Sequence, residues 1–423
     1  MNIDRHRIRG GLTTSLILGA SIAVNVASAE AGGFYAPYQS GQAIGSALAG
    51  SSARSDDASF FFFNPASIAG LAGADVTIDA RLYVPSFEIS ARRATSPLGA
   101  DLTADGGSGE LTDPVAGPGF FAALPLSPGL WLGFGGSAPF AVDIKADPGW
   151  AGRFQLLDTD MRGTNLSIAL AYQVTDWLVL AAGIQHQQFK AEFAKSELIP
   201  TLFGPIEARG FLKGEDWATG AIAGVLVTPV DGTRIGIGYR SQLTHTMQGT
   251  AGADLPGIPV DSASFDVDLP QVVSVGLEQR LGPQLRLFAD VQWVDWSRFK
   301  GFDISFGSGR PNELRLQAWD DTWAAAIGFG YAVSPSTEIT AGVHYDTAVT
   351  GGGANTLSPD AARTMLAFGL NHKIEGRGVV SAHYAHVFFE DARIDVSGPT
   401  SGTLEGTFSG GLDIFGVSFR LDL

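Results

Sequence analysis

Few residues in this sequence have the types and spacing that bond-making chemistry requires. A nucleophilic hydrolase needs a serine, a histidine and an acid brought together at one point. No G-x-S-x-G elbow occurs to present the serine, and no histidine has an evident serine partner. His383 and His386 are three residues apart. On a strand they point to opposite faces, which makes a poor metal pair. Asp101, Asp105, Glu110 and Asp113 lie in a glycine-rich stretch and read as a solvated acidic loop rather than a calcium site. There is no cysteine, so thiolate metal sites and disulfides are excluded. The glycine-rich runs carry no P-loop lysine. A formal charge of −16 with no basic patch excludes a nucleic-acid partner. The expectation is a protein that is not an enzyme and uses no metal and no cofactor.

What remains is non-covalent capture. Arg153, Arg162, Lys190, Arg240, Arg286 and Arg315 are candidates to hold a carboxylate, although Arg240 and Arg286 read more simply as props of an interior. Two stretches are apolar where polarity is the norm. One is the predicted loop Phe193–Gly214, with Leu198, Ile199, Pro200, Leu202, Phe203 and Ile206, which reads as a binding patch. The other is Gly32–Ala66. It begins with Phe34 and Tyr35, continues through small residues, and ends in Phe60 to Phe63 and the turn signal Asn64-Pro65-Ala66. Four phenylalanines in a row should not face water, and so short a segment cannot build a core alone. It needs an enclosure.

The rest of the chain supplies one. Leu166, Ile168, Leu170, Tyr172 and Val174 alternate with small or polar residues, and the same period of two recurs along the chain to Phe415, Val417, Phe419 and Leu421. Fourteen strands are predicted: 75–91, 117–124, 129–144, 163–174, 177–192, 215–229, 233–249, 265–281, 284–300, 321–333, 337–348, 362–374, 378–390 and 411–423. Long and short connections alternate strictly, as in an up-and-down outer-membrane barrel with its short turns in the periplasm. Residues 1–29 read as a secretory signal peptide: Arg5, Arg7 and Arg9, then an apolar run, then Ala27-Ser28-Ala29. No later apolar run is long enough for a membrane helix. The fold class is therefore all-β. It is a 14-stranded antiparallel transmembrane barrel (73–423) with an N-terminal hatch (30–72) inside its lumen. Strand three stands out, because Gly133, Gly135, Gly136 and Pro139 weaken its ladder and predict a kink or wall opening at Gly135–Pro139.

Several of these residues together resemble the FadL-type transporters of hydrophobic compounds. Gln39-Ser40, Gly45, Ala47 to Gly50, Asp56-Asp57-Ala58 and Asn64-Pro65-Ala66 look like that family's hatch. Trp131-Leu132-Gly133, Pro139-Phe140, Trp150 to Arg153 and the strand from Asn165 look like its barrel. Phe60 to Phe63 is more aromatic than the family pattern. The resemblance implies a monomer in outer-membrane lipid that takes up a fatty acid or hydrocarbon passively. Ligand would be captured at Leu198, Leu202 and Phe203, and held near Phe140 and Trp150. A hatch gate of Phe34, Tyr35, Phe60, Phe63, Asn64, Pro65 and Ala66 would then shift, and ligand would leave sideways at Gly135, Gly136 and Pro139. A hydrophilic porin and an outer-membrane lipase are the alternatives. The apolar plug and the missing triad weigh against them.

Overall fold

Side chains that alternate between bulky apolar and small put one face of each strand in lipid and the other toward a crowded interior. The computed structural model describes residues 33–350, 353–354 and 359–422, so the predicted signal peptide lies outside the described residues. Nine strands are unbroken: β1 Asp75–Thr95, β2 Val115–Ser127, β3 Leu130–Lys145, β4 Asp158–Thr175, β5 Leu178–Ile199, β6 Ile206–Val230, β11 Thr337–Asp346, β12 Arg363–Ile374 and β14 Gly402–Asp422. Five run in two pieces: β7 Thr233–Arg240 with Leu243–Ala253, β8 Asp261–Leu269 with Val272–Leu281, β9 Leu285–Val294 with Gly301–Phe306, β10 Glu313–Leu316 with Thr322–Ser334, and β13 Gly378–Phe389 with Ala392–Gly398. Pro270, which has no N–H for the ladder, sits in the break of β8. Each strand pairs antiparallel with the next, and β14 closes on β1 from Asp75↔Asp422 to Thr95↔Thr403. Closure leaves no free edge in the membrane.

The outer face is the predicted one. Leu166, Ile168, Leu170, Tyr172 and Val174 are all exposed on β4, while Asn165, Ser167, Ala169 and Ala171 are buried. Trp177, Trp217 and Trp323 are exposed among these lipid-facing side chains. Strand starts at the short-turn end match prediction closely, but the opposite ends run further. The stretch expected to be a loop, Phe193–Gly214, is instead the upper part of the β5–β6 hairpin, paired from Ile199↔Ile206 down through Ala191↔Gly214. Only 200–205 remains as a turn. At 22 and 25 residues, β5 and β6 far exceed the roughly 10 needed to cross a bilayer, so they project beyond it.

Inside the barrel, residues 34–68 are buried almost without exception. The segment is a string of short capped pieces. Helix α1 (Gly41–Ile44) is capped by Ser40, a 3₁₀ turn at Ala58–Phe62 by Asp57, and another at Pro65–Gly70 by Asn64. The Asn64-Pro65-Ala66 turn thus has a direct reading: asparagine caps, and proline takes the first helical position, where no N–H is needed. Asn64 also donates to Ser52 O (2.7 Å) and to Val225 O on β6 (2.9 Å). The wall is glycine where the segment presses closest. A Cβ on Gly224 would lie 2.1 Å from the Asn64 side-chain oxygen, and one on Gly238 would lie 1.8 Å from Phe63 O.

Candidate functional site

The ladder of β3 fails where its residues foretell. Pairing with β2 ends at Phe120↔Gly136, and pairing with β4 shifts register between Ser137 and Phe140, so Ala138 and Pro139 bulge out of the wall. A Cβ on Gly135 would meet the rings of Phe121 (2.8 Å) and Phe61 (3.1 Å), whereas one on Gly136 meets only Leu166 and Phe120 at 3.8 Å. Gly135 is therefore a seat for the N-terminal segment, and Gly136 is a roomy position on the lipid side.

The edge left bare by the break is covered from within. Ala36 N donates to Pro139 O (2.7 Å) and Ala141 N donates to Phe34 O (3.0 Å), which makes Tyr35↔Phe140 an antiparallel bridge. Gln39 completes the patch with its side chain. Its Nε2 donates to Ala138 O (2.9 Å) and its Oε1 accepts from Ala138 N (3.1 Å), as a neighbouring strand would. On the other side of the gap, Arg81 donates to both Tyr38 O and Gly117 O, tying the segment to β2, and the Tyr83 hydroxyl also donates to Tyr38 O. Phe34, Tyr35 and Gln39 thus stand in for a missing length of wall.

A file of aromatic rings leads from this patch toward the outside. Phe140 lies 6.1 Å from Phe34, which lies 5.6 Å from Phe299; Phe299 lies 5.5 Å from Phe302, and Phe302 lies 5.2 Å from Phe193. Phe193 and Phe302 line a cavity of about 810 Å³ at the long-loop end, together with Leu212, Ile304 and Phe306. That volume suits a small-molecule site, which typically spans about 300–1,000 Å³. The cavity also holds cations, but each has an acid nearby. Arg315 pairs with Glu313 at 2.8 Å, Arg310 with Asp261 at 3.7 Å, and Lys195 with Glu197 and Glu313 at 3.9 Å.

The other candidate carboxylate anchors are similarly engaged. Arg153 pairs with Asp105 and Glu207, Arg162 with Asp160 and Asp143, and Lys190 with Glu215. Arg240 and Arg286 do more than prop an interior, because both hold the N-terminal segment. Arg240 donates to Phe62 O and lies over the Phe62 ring; Arg286 binds Asp56 at 2.7 Å along with Glu338 and Glu278. Burial alone would raise the Asp56 carboxyl, yet Arg286 and Arg54 hold it well below the usual range. Its neighbour Asp57 goes the other way, pushed up to about 8 by burial and by the nearby Asp79 and Asp75.

The remaining predicted residues fall in several places. Phe60 and Phe63 are buried beside Asn64, Pro65 and Ala66. Trp150 is buried and donates to Leu156 O (2.8 Å), organising the connection between β3 and β4. Leu202 and Phe203 stand fully exposed at the tip of the β5–β6 hairpin, and neither they nor the half-buried Leu198 line the cavity. Not legible as site residues in the sequence were Gln39, Arg81, Phe299 and Phe302, and also Trp296, Trp319 and Phe189, whose rings lie 4.8, 5.8 and 6.2 Å from that of Phe34. The run Trp293, Trp296, Phe299, Phe302 carried a signal, since its spacing of three breaks the strand alternation at the interruption of β9.

The model of a family described as outer membrane protein transport protein (OMPP1/FadL/TodX) matches residues 22–423. The long-chain fatty acid transport protein of Escherichia coli K12 is 22% identical, covering 97% of this chain and 98% of that one. Among solved structures, a FadL homologue of Pseudomonas aeruginosa superposes with a TM-score of 0.85 at 21% identity, covering 92% of this chain and 99% of its own. The Ralstonia pickettii toluene transporter TbuX gives 0.64 at 18%, covering 87% and 95%.

Proposed function

Because the chain belongs to the outer membrane protein transport protein family (OMPP1/FadL/TodX), we propose that it carries uncharged hydrophobic molecules inward and releases them sideways through the break in β3. It is a transport channel of the Gram-negative outer membrane, not an enzyme. In this reading residues 30–72 are the hatch and 73–423 the barrel, working as a monomer in outer-membrane lipid. Leu202 and Phe203 make first contact outside, and the ligand then enters the cavity beside Phe193 and Phe302. It moves along the aromatic file to Phe140. Withdrawal of Phe34–Gln39 from Ala138–Ala141 opens the gap between β2 and β3 onto the bilayer, so an oily molecule need not pass the hatch into the aqueous periplasm.

One observation carries the proposal. The aromatic file runs unbroken from the outer cavity to the stretch of β3 whose neighbour, among the described residues, is the N-terminal segment instead of a strand. Apolar rings gain from an apolar cargo and offer nothing to a sugar. The paired cations of the cavity favour a hydrocarbon over a carboxylate, because an incoming anion must displace an acid already in place. Purified protein in liposomes tests this with toluene, a labelled long-chain fatty acid and a sugar. Toluene should enter fastest, the fatty acid more slowly and the sugar no faster than through empty liposomes. Sugar entry, or no enhancement for either hydrophobic probe, would sink the proposal.

A further inference from the structure

On the outward face of β4, β5 and β6, above the lipid, lies a charge pattern that the uptake path does not use. The lower rungs are apolar, with Ile168 opposite Ile184 and both exposed. Interface residues come next. Trp217 is exposed and its ring stacks on that of His186 (4.8 Å, 18° between planes), as in the aromatic girdle of a barrel at headgroup level. One rung beyond Trp217, Arg162 and Lys190 stand directly opposite each other. Like charges so placed repel, and a wall that needed only to be soluble would interleave the signs. Lys213 is diagonal to Lys190, about 7–8 Å away in an ordinary ladder. It makes no ion pair among the described residues, and its ammonium lies over the Phe211 ring at 5.2 Å. One rung farther out the signs reverse, with Asp160 opposite Glu192.

We infer that this strip docks a phosphorylated, acylated lipid of the outer leaflet, with Arg162, Lys190 and Lys213 around its phosphate and its chains along the apolar rungs below. Three cations on one face require an anion. Nearby acids leave donors over: Asp160 accepts from Arg162 Nε (2.7 Å), Asp143 lies 3.4 Å from one terminal nitrogen, and Glu215 lies 3.1 Å from Lys190. A guanidinium has five N–H groups and an ammonium three. A phosphate accepts from several such donors at once, in charge-assisted bonds. Exposed apolar side chains directly beneath require hydrocarbon on the same molecule, which a free phosphate lacks. The depth agrees. Arg162 lies four residues beyond the exposed Leu166, which at ~3.3 Å per residue and a tilt of about 40° is roughly 10 Å farther out, among headgroups. The long connections mark this as the outer end, where glycolipid carries the phosphates. Cations nearer the membrane and carboxylates beyond them complement a phosphate layer overlain by its own counter-cations.

Full-length protein, purified in detergent and stripped of lipid, tests this by native mass spectrometry. It is titrated with diphosphorylated lipid A, with the same lipid dephosphorylated, and with inorganic phosphate as competitor. The wild type should hold the diphosphorylated lipid at least about tenfold more tightly than the dephosphorylated one, and inorganic phosphate at equal concentration should not displace it. In the double variant Arg162→Gln, Lys190→Gln that preference should vanish, while the dephosphorylated lipid binds as it does to the wild type. Lys213→Gln should reduce the preference about threefold, and it carries the test if the double variant does not assemble. The charge-keeping pair Arg162→Lys, Lys190→Arg should retain most of it. Equal affinity of the wild type for the two lipids, or a preference unchanged in the folded double variant and in Lys213→Gln, overturns the inference. Inorganic phosphate that competes as well as the lipid does would make this a free-anion site and overturn the lipid assignment.

Discussion

At the scale of single residues, the N-terminal segment is held by a few polar groups with separable effects. Asn64 caps a 3₁₀ turn and bonds to Ser52 O and Val225 O. Asn64→Ala removes the cap and both bonds, at a cost of about 1–3 kcal/mol to the docking of the segment. Amide exchange in residues 58–71 should quicken while the barrel strands stay protected. Asp57 gives a pH signature. Its carboxyl rises from a usual value of 3.8 to about 8, so the docked segment binds a proton that the released segment would lose. That contribution is complete below pH 4 and is lost as pH rises toward 8. Asp57→Asn keeps an oxygen for Ser59 N and should flatten the pH dependence of exchange over that window. Asp56 works with the opposite sign, since Arg286 and Arg54 lower it and its contribution is lost in acid. Gly135 and Gly136 were paired by sequence as one opening, but their surroundings separate them. Gly135→Leu should expel Phe61 and loosen the segment, whereas Gly136→Leu should assemble and leave exchange unchanged.

At the scale of elements, the central relation is between β3 and the segment Phe34–Gln39. Tyr35 and Phe140 face one another across a bridge whose flanking bonds are Ala36 N to Pro139 O and Ala141 N to Phe34 O. Such non-hydrogen-bonded pairs bring Cα atoms to about 4.5 Å, within the range a disulfide spans. The natural chain has no cysteine to interfere. In the double variant Tyr35→Cys, Phe140→Cys, oxidation should bring toluene uptake down to the rate of empty liposomes, and reduction should restore the enhancement. Uptake that continues with the disulfide formed would mean that ligand leaves by another door. The predicted kink was legible because glycine and proline weaken a ladder wherever they fall. Its partner was not, because nothing in Phe34–Gln39 alternates like a strand, and Gln39 supplies its share of the ladder from a side chain.

For the whole molecule, the wall closes on itself through β1 and β14 without help from the segment. Deleting residues 33–72 should therefore leave a barrel that assembles and conducts. Planar-bilayer recordings are expected to show steady open channels where the full chain is nearly closed, and a deletion variant no more conductive than the full chain would show the lumen to be blocked by something else. The long upper hairpins explain why strands were placed short at this end, above all at Phe193–Gly214 and at 391–410. Above the membrane both faces of β5 and β6 meet water or the cavity, so the lipid-facing alternation that marks a strand fades, and Phe193–Gly214 reads as a loop.

The sequence by itself determined the barrel, its strand count and the end bearing the short turns, because lipid on one face and a crowded lumen on the other impose a period of two that local reading detects. It also determined that a small, phenylalanine-rich segment had to be enclosed. Only the tertiary structure decided which rings meet, since Phe34, Phe140, Phe189, Trp296, Phe299 and Trp319 come from five separate stretches of chain whose neighbourhood depends on closure of the cylinder. It decided, too, that the arginines open to a carboxylate are already taken, because a charge's partner is set by distance in space and not along the chain.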